Sequence, residues 1–358
     1  MIMYFDPNPK ERLSDLFNYK KELDEILSSA EHEKAIFIKG LRRTGKTSLM
    51  KVAMNEIKYP STYIDARIYS NRTEFLQGLV KSFNTLTQQV GIYGKIKSHL
   101  PKEVELSGVR VKLTNEDLYD YAKELDRYLQ SSKKRAVLFV DEAQRTKRFD
   151  GDAVFASLYD ATKNLCFVFS GSEIGLFEDF SGASSESPFY GRAKRIIEIN
   201  PLLNEKSLEF LRQGFIQAKK TYKEEELEEA VERLDGIIGW LTLYGHYRSS
   251  FSHKKSLEQV LSDAVKITSA EFKEFLKNKQ EAKSRYELIM YGLSERNMQW
   301  SEIKRFLEIE TGTNISDGRL YEYLKNLMNY SFIDEKEGQY LIPDPVMKEA
   351  FKQELGRK

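Results

Sequence analysis

The sequence predicts an α/β protein in which a parallel sheet is followed by a helical region and a C-terminal winged helix. Three observations support this fold class. Short apolar runs of strand length alternate with helical segments over residues 1–200. After Pro201 the helical spacing continues, but the strand-length runs stop. From Ser284 onward, three helical segments precede a charged turn between two short strand-like runs.

The predicted strands are apolar on both faces, as in a parallel sheet that helices cover on each side. The chain between the second and third strands is longer than one crossover helix needs. Within this insertion, at about residues 85–115, the alternating pattern EVELSGVRVKL (103–113) with its Ser-Gly turn predicts a hairpin. We therefore expect a first domain over residues 1–200 with five strands: AIFI (35–38), STYIDA (61–66), AVLFVD (136–141), LCFVFS (165–170) and RIIEI (195–199).

A helical lid domain is predicted for residues 201–283, because every segment there has helical spacing and a charged outer face. A winged-helix domain is predicted for residues 284–358, with Ser316 or Asp317 as the cap of its third helix. The helical segments of the lid are 204–220, 223–234, 240–252, 255–266 and 269–282.

Composition excludes several classes of protein. Lys and Arg number 56 against 55 Asp and Glu, so overall charge gives no argument for nucleic acid or an anionic membrane. Cys166 is the single cysteine, which rules out a disulfide framework and favours a reducing compartment, with the cytoplasm as the expected location. No apolar run approaches 18 residues, so we expect no membrane association, and no signal-peptide pattern stands at the N-terminus.

The stretch from Gly40 to Thr47 matches G-x-x-x-x-G-K-[ST], directly after a strand and before a helix. Chance alone would give roughly 0.01 such matches in this composition, so the pattern is specific. Its glycines allow a tight turn whose N–H groups point at a phosphate of ATP or ADP. Lys46 would neutralise β- and γ-phosphate oxygens, and Thr47 would ligate Mg²⁺. The expected nucleotide contacts are Gly40, Arg42, Arg43, Thr44, Gly45, Lys46, Thr47 and Ser48.

Two adjacent acids follow the third strand. Asp141 is expected to hold the Mg²⁺ shell, and Glu142 to orient and deprotonate an attacking water. An acid pair of this kind suggests that another strand lies between the phosphate-loop strand and the acidic strand. That arrangement is typical of AAA+ and related ATPases rather than of small GTPases.

Polar groups also end the fourth strand and precede the fifth. Ser170, Gly171 and Ser172 are expected to stand where the γ-phosphate or the water is sensed, although an ordinary turn would explain them as well. Arg192 carries a cation that suits developing phosphate charge, or it is a solvated surface residue. The Gly/Ser-rich loop before Arg192 favours action on the nucleotide of its own chain over action on a neighbour's.

These motifs together resemble the archaeal ATPase family, a STAND-type branch of the AAA+ P-loop NTPases. GLRRTGKTSL, VDEAQ, SGSEIGLF and SPFYGRA are similar to its phosphate loop, acidic strand, sensor strand and arginine loop. LFNYKKELDEI resembles its base-pocket element, with Tyr19 at a position where arginine is common, and DGIIGWLTLYG resembles its lid element, with Ile238 in place of proline.

The resemblance implies an enzyme that binds ATP and hydrolyses it slowly as a conformational switch, with Lys46, Thr47, Asp141, Glu142 and Arg192 carried over. The alternative is a DNA-binding regulator that uses the winged helix. Residues 284–358 hold 11 Lys and Arg against 13 Asp and Glu, so DNA binding by this domain has weak support. A protein partner or self-association is left open.

Overall fold

The computed structural model describes residues 4–92 and 114–356; the hairpin predicted at 103–113 lies outside them. Five parallel strands form the main sheet in the order β2-β3-β4-β1-β5. One strand therefore lies between the phosphate-loop strand and the acidic strand, as the sequence predicted. The strands are β1 (Ala35–Lys39), β2 (Ser61–Asp65), β3 (Ala136–Asp141), β4 (Leu165–Gly171) and β5 (Arg195–Glu198).

Helices cover both faces of this sheet because alternate strand residues point to opposite sides. Ile36 and Ile38 face one core, which includes helices α1 and α2 and the helical region, whereas Phe37 faces a second core formed with helices α3 to α6. These helices are α1 (Lys20–Ser29), α2 (Lys46–Glu56), α3 (Arg72–Gln89), α4 (Asn115–Ser131), α5 (Gly151–Ala161) and α6 (Ile174–Ser181).

The region after Pro201 is helical in the structure, with one difference from the prediction. The sequence predicts separate helices at 255–266 and 269–282, but a single helix spans His253–Leu276. Thr268 lies at the predicted boundary between the two helices, yet its side chain is fully buried and the helix continues through it. The helices are α7 (Asn204–Gln217), α8 (Glu224–Leu234), α9 (Ile238–Arg248) and α10 (His253–Leu276).

The N-terminal segment packs into this helical region. Phe5 is buried, and its ring lies so close to helices α7 and α9 that only glycine fits opposite it. A Cβ atom on Gly214 or Gly245 would stand 2.3 or 2.2 Å from that ring. The first residues of the chain therefore complete the core of the helical region.

The C-terminal region has the predicted three helices and strand pair, and Ser316 caps the third helix. A third short strand and a final helix were not predicted, although Asp344 and Pro345 form a helix-start signal. The elements are α11 (Lys283–Glu295), β6 (Met298–Gln299), α12 (Trp300–Thr311), α13 (Asp317–Asn329), β7 (Asp334–Lys336), β8 (Gln339–Leu341) and α14 (Pro345–Leu355).

Two buried contacts join the winged helix to the rest of the molecule. The Nε1–H of Trp240 donates to Asp344 Oδ2 over 2.9 Å, and Asp344 also caps helix α14. Ser331 Oγ accepts from the backbone N–H of Ile174, the first residue of α6, over 2.7 Å. Across the described parts of the chain, no helix is both long and apolar enough to cross a bilayer.

Candidate active site

The phosphate loop turns tightly between β1 and α2. Gly45 has φ of 96°, in the left-handed region that favours glycine, and a Cβ on Gly40 would lie 2.3 Å from the carbonyl oxygen of Ile199. Thr44 Oγ1 donates to the Leu41 carbonyl over 2.8 Å. The loop is therefore a closed turn at the N-terminus of α2.

Lys46 is buried at the first position of α2. Its Nζ donates to the carbonyl oxygens of Gly40 and Leu41, over 2.7 and 2.5 Å. Burial lowers the pKa of Lys46 to about 8. The ammonium group closes the loop in this structure and is placed to exchange a carbonyl for a phosphate oxygen.

Asp141 gathers several donors at the carboxyl end of β3. Its Oδ2 accepts from Thr47 Oγ1 over 2.7 Å and from the Tyr63 hydroxyl over 2.8 Å. Its Oδ1 accepts from Ser170 Oγ and from the backbone N–H of Glu142. The predicted Mg²⁺ residues Thr47 and Asp141 are thus in direct contact, and Tyr63 is a partner that sequence reasoning missed.

Glu142 turns away from the strand with φ of 53° and ψ of 43°. Its Oε2 accepts from Gln144 Nε2 over 2.7 Å and from Ser172 Oγ over 2.9 Å. These two donors fix the carboxylate at the wall of a cavity, beside Lys46 and Thr47.

The cavity has a volume of about 470 Å³ and lies between the sheet domain, the N-terminal segment and the helical region. This volume is in the range of small-molecule sites. Of the predicted site residues, seven line it: Arg42, Arg43, Gly45, Lys46, Thr47, Ser48 and Glu142. Gly40, Thr44 and Asp141 lie behind that wall, where they shape the loop and hold Thr47.

Ser170 does not line the cavity, which corrects the prediction that it senses the nucleotide directly. The side chain is fully buried, and its hydroxyl donates to Asp141. Strand register is the reason: Val140 pairs with Phe169, so the next residues, Asp141 and Ser170, stand side by side. Ser170 therefore positions Asp141, and the hydroxyl at the cavity is that of Ser172.

Arg192 also lies away from the cavity. Arg192 lies just before the amino end of β5. Its Nε donates over 3.0 Å to Asp160, which lies at the end of α5. The amino ends of β1 and β5 are at that edge, whereas the phosphate loop follows the carboxyl end of β1. The expectation that Arg192 acts on the nucleotide of its own chain is therefore wrong for this structure.

The helical region contacts the phosphate loop directly. Glu271 on α10 accepts from Arg42 over 3.2 Å and from Arg43 over 3.1 Å. The backbone N–H of Gly239 donates to the Arg43 carbonyl over 2.9 Å, and the Arg43 guanidinium lies 4.4 Å from the Trp240 ring. The lid element that contains Ile238 thus contacts the phosphate loop.

Several residues that line the cavity were not among the predicted site residues. Lys10 belongs to the N-terminal segment, and its backbone N–H donates to Ser48 Oγ over 3.0 Å. Tyr19 is buried with its ring beside Gly45, which is consistent with the predicted base-pocket element. Arg67 and Arg145 add two cations near Glu142. A signal for Arg145 was present, because it follows the acid pair in DEAQR.

The donor set fits Mg²⁺. A hydroxyl and a carboxylate are hard oxygen ligands, and Mg²⁺ usually takes one or two protein oxygens together with substrate phosphates and waters. Thr47 Oγ1 and Asp141 Oδ2, 2.7 Å apart, supply that pair. Within residues 4–92 and 114–356, no group of three or more His, Cys, Asp or Glu residues is arranged to hold a metal ion.

Comparisons with known proteins agree with this geometry. A family described as an ATPase domain predominantly from Archaea matches residues 16–243, and the MCM protein C-terminal winged helix-turn-helix domain matches residues 280–342. The search of curated proteins found no match. The fold and site define a P-loop ATPase with a helical region and a C-terminal winged helix. The chain belongs to the archaeal ATPase family.

Solved structures support the same assignment. The Walker-type ATPase of Pyrococcus abyssi is 30% identical with a TM-score of 0.78, over 98% of this chain and 99% of that one. The ORC2 protein of Aeropyrum pernix in its ADPNP–ADP complexes is 14% identical with a TM-score of 0.62, over 99% of this chain and 96% of that one. Likeness at 14% identity shows the fold alone.

Proposed function

We propose that this protein is a nucleotide-dependent switch of the STAND type, in which ATP binds between the sheet domain and the lid and is hydrolysed slowly with Mg²⁺. One observation carries the proposal: Glu271 of the lid pairs with both Arg42 and Arg43 of the phosphate loop. The loop that would hold phosphates is therefore also the surface on which the lid docks. Phosphate oxygens compete with Glu271 for the same guanidinium groups.

Four of the predicted residues have chemical roles in this proposal. Lys46 exchanges its bond to a loop carbonyl for one to phosphate, and Mg²⁺ at Thr47 and Asp141 would neutralise phosphate charge. Glu142 accepts the proton of the attacking water. Two donors, from Gln144 and Ser172, hold the Glu142 carboxylate in place for this role.

A path for the switch leads to the winged helix. Glu173 directly precedes α6, whose first N–H is held by Ser331 of the winged helix. Movement of Ser172 and Glu173 when nucleotide binds would strain the hydrogen bond between Ile174 and Ser331. We infer that the winged helix changes its position with the bound nucleotide and that a protein partner, or a second copy of the chain, responds. A cytoplasmic location belongs to this proposal, in keeping with the single, buried Cys166.

The test of nucleotide binding is Lys46→Ala. We expect affinity for Mg·ATP and Mg·ADP to fall about 100-fold or more, because two charge-assisted bonds are lost. Titration calorimetry measures both affinities. Lys51→Ala is the matched control, since Lys51 lies on the same helix and pairs with Glu11 outside the cavity. Unchanged affinity in folded Lys46→Ala would refute the proposed site.

The lowered pKa of Lys46 predicts how affinity depends on pH. The free protein loses the Lys46 proton above about pH 8, whereas bound phosphate favours the ammonium form. ATP affinity is therefore expected to fall as pH rises from 8 to 9.5, by up to about tenfold per pH unit. Phosphate itself titrates near pH 6 and adds nothing in this range.

This pH dependence is measured by titrations at pH 7.5, 8.5 and 9.5. Lys46→Arg is the control, because its guanidinium stays charged and its remaining affinity should not change with pH. A flat profile for the wild-type protein would contradict the assignment of Lys46 as a phosphate ligand.

The second candidate function is an ATP-dependent DNA-binding regulator. The match of residues 280–342 to a winged helix-turn-helix domain favours it. Charge opposes it, since Lys304 of the winged helix is already paired with Asp317 over 2.6 Å. Binding to duplex DNA that weakens steeply with salt would support this function. Absence of binding at low salt, where phosphate contacts are strongest, would remove it.

A catalytic role for Arg192 would require the nucleotide of a neighbouring molecule. Mixing Arg192→Ala with Lys46→Ala chains tests this role, because each inactive chain would supply what the other lacks. Recovered hydrolysis would show an arginine donated between chains. No recovery, together with activity per molecule that is independent of dilution, would leave Arg192 as a surface residue paired with Asp160.

A further inference from the structure

A buried carboxylate joins the phosphate loop to the segment after the acid pair. Glu173 is 4% exposed, and its Oε1 accepts from the Arg42 guanidinium over 2.9 Å and from the Arg145 guanidinium over 3.2 Å. Its Oε2 accepts from Gln144 Nε2 over 3.2 Å. Two arginines from different segments, both of which line the cavity, therefore share one oxygen.

Arg145 is held more loosely than its neighbours. Its side chain donates a single hydrogen bond, to an oxygen that Arg42 already occupies, and its Nε is buried without a hydrogen-bond partner within the described residues. Arg145 lines the cavity together with Lys46, Thr47 and Glu142. A guanidinium with an unused donor at that place is suited to an anion that enters the cavity.

Other cations near the site have more partners. Arg43 also has a buried nitrogen, Nη1, without a hydrogen-bond partner in the described residues, but its guanidinium both pairs with Glu271 and lies over the Trp240 ring. Arg67 makes a two-point contact with Asp65, with bonds of 2.9 and 2.8 Å. Arg42 bonds both Glu173 and Glu271. Arg192 stands at the opposite edge of the sheet. Among these side chains, Arg145 needs to give up the least to reach a new partner.

We propose that Arg145 is the arginine that binds the terminal phosphate of ATP, within the same chain, and that Glu173 holds it when no nucleotide is bound. The proposal rests on the proposed ATPase function. The oxygen of water attacks the terminal phosphorus, its proton passes to Glu142, and the bond from phosphorus to the bridging oxygen breaks. ADP leaves with the electron pair, and the Arg145 guanidinium stabilises the charge on the transferring phosphoryl oxygens.

The proposal has a definite signature, because ADP lacks the phosphate that Arg145 would bind. Arg145→Ala is expected to weaken Mg·ADPNP binding about 10- to 100-fold while Mg·ADP binding stays the same. It should also lower kcat about 10²- to 10³-fold. Arg145→Lys should recover part of both, because it keeps the charge without the two-pronged donor. Glu173→Gln, which weakens the competing acceptor, should tighten Mg·ADPNP binding several-fold.

Titration calorimetry with the two nucleotides and a phosphate-release assay provide these measurements on the full chain. Arg148→Ala is the matched control, because Arg148 lies in the same segment, is exposed and does not line the cavity. Equal losses of ADP and ADPNP affinity in Arg145→Ala would show a structural role and overturn the proposal, as would unchanged kcat. If Arg145→Ala fails to fold, unchanged ADPNP affinity in both Arg145→Lys and Glu173→Gln would overturn it.

The outcomes separate this inference from the proposed function. A wild-type protein that binds neither nucleotide would refute both. A wild-type protein that binds and hydrolyses ATP, with an Arg145→Ala variant that does the same, would refute only the role of Arg145. The role of Arg145 would be supported if the Arg145→Ala variant bound ADPNP more weakly than the wild-type protein does but bound ADP equally well.

Discussion

Replacing Glu142 by glutamine is expected to slow ATP hydrolysis about 10²- to 10⁴-fold while leaving Mg·ATP bound. Glutamine has nearly the same shape but accepts no proton from the attacking water at neutral pH. Its carbonyl oxygen can still accept from Gln144 and Ser172, which bind the carboxylate in the wild-type protein. Fold and binding should therefore survive while the chemical step is lost. Phosphate release under single-turnover conditions measures that step directly.

The control for this variant is Glu178→Gln. Glu178 is an acid that pairs with Lys39 and lies outside the cavity, so its loss should leave turnover unchanged. Wild-type turnover in Glu142→Gln would place the base on another residue. Loss of nucleotide affinity together with turnover would indicate instead that Glu142 shapes the site.

Trp240→Ala is expected to lower the free energy of unfolding by about 3–5 kcal/mol. Trp240 is 1% exposed, carries the Arg43 guanidinium on its ring, and donates its indole N–H to Asp344. Asp344 is itself buried, and this burial raises the pKa of its carboxyl group. Removal of the indole would leave both a cavity and an unsatisfied acceptor.

Trp240→Phe separates the two contributions. It keeps most of the ring but lacks the N–H donor, and it should cost about 1–3 kcal/mol. Urea unfolding followed by far-ultraviolet circular dichroism gives both values, because that signal does not depend on the tryptophan. A loss below about 1 kcal/mol for Trp240→Ala would contradict the view that this side chain anchors the winged helix.

The sequence predicted the phosphate loop and the acid pair because their residues are contiguous and stand at the ends of apolar strands. The presence of one strand between the phosphate-loop strand and the acidic strand followed from one chemical argument, namely that the acids at Asp141 and Glu142 lie across a gap from the loop. The winged helix was recognised from helix spacing and a charged turn, but its final helix was missed although Asp344 and Pro345 mark its start.

The failures have a common physical cause. Whether Ser170 faces the cavity or Asp141 depends on the register of two strands, which the sequence does not state. The direction of the loop before Arg192 depends on what that loop packs against. The pairing of Glu173 with Arg42 and Arg145 joins three segments that are far apart in the chain. Such contacts come from tertiary packing rather than from a local pattern.

The burial of Phe5 against Gly214 and Gly245 has a consequence for folding kinetics. During synthesis the segment that carries Phe5 leaves the ribosome long before its binding surface on α7 and α9 has been made. Strand β1 also stays unpaired until its partners, β4 and β5, have been synthesised. Contacts this distant in sequence close slowly. An incomplete chain therefore exposes apolar N-terminal residues for most of its synthesis, and aggregation at that stage competes with folding.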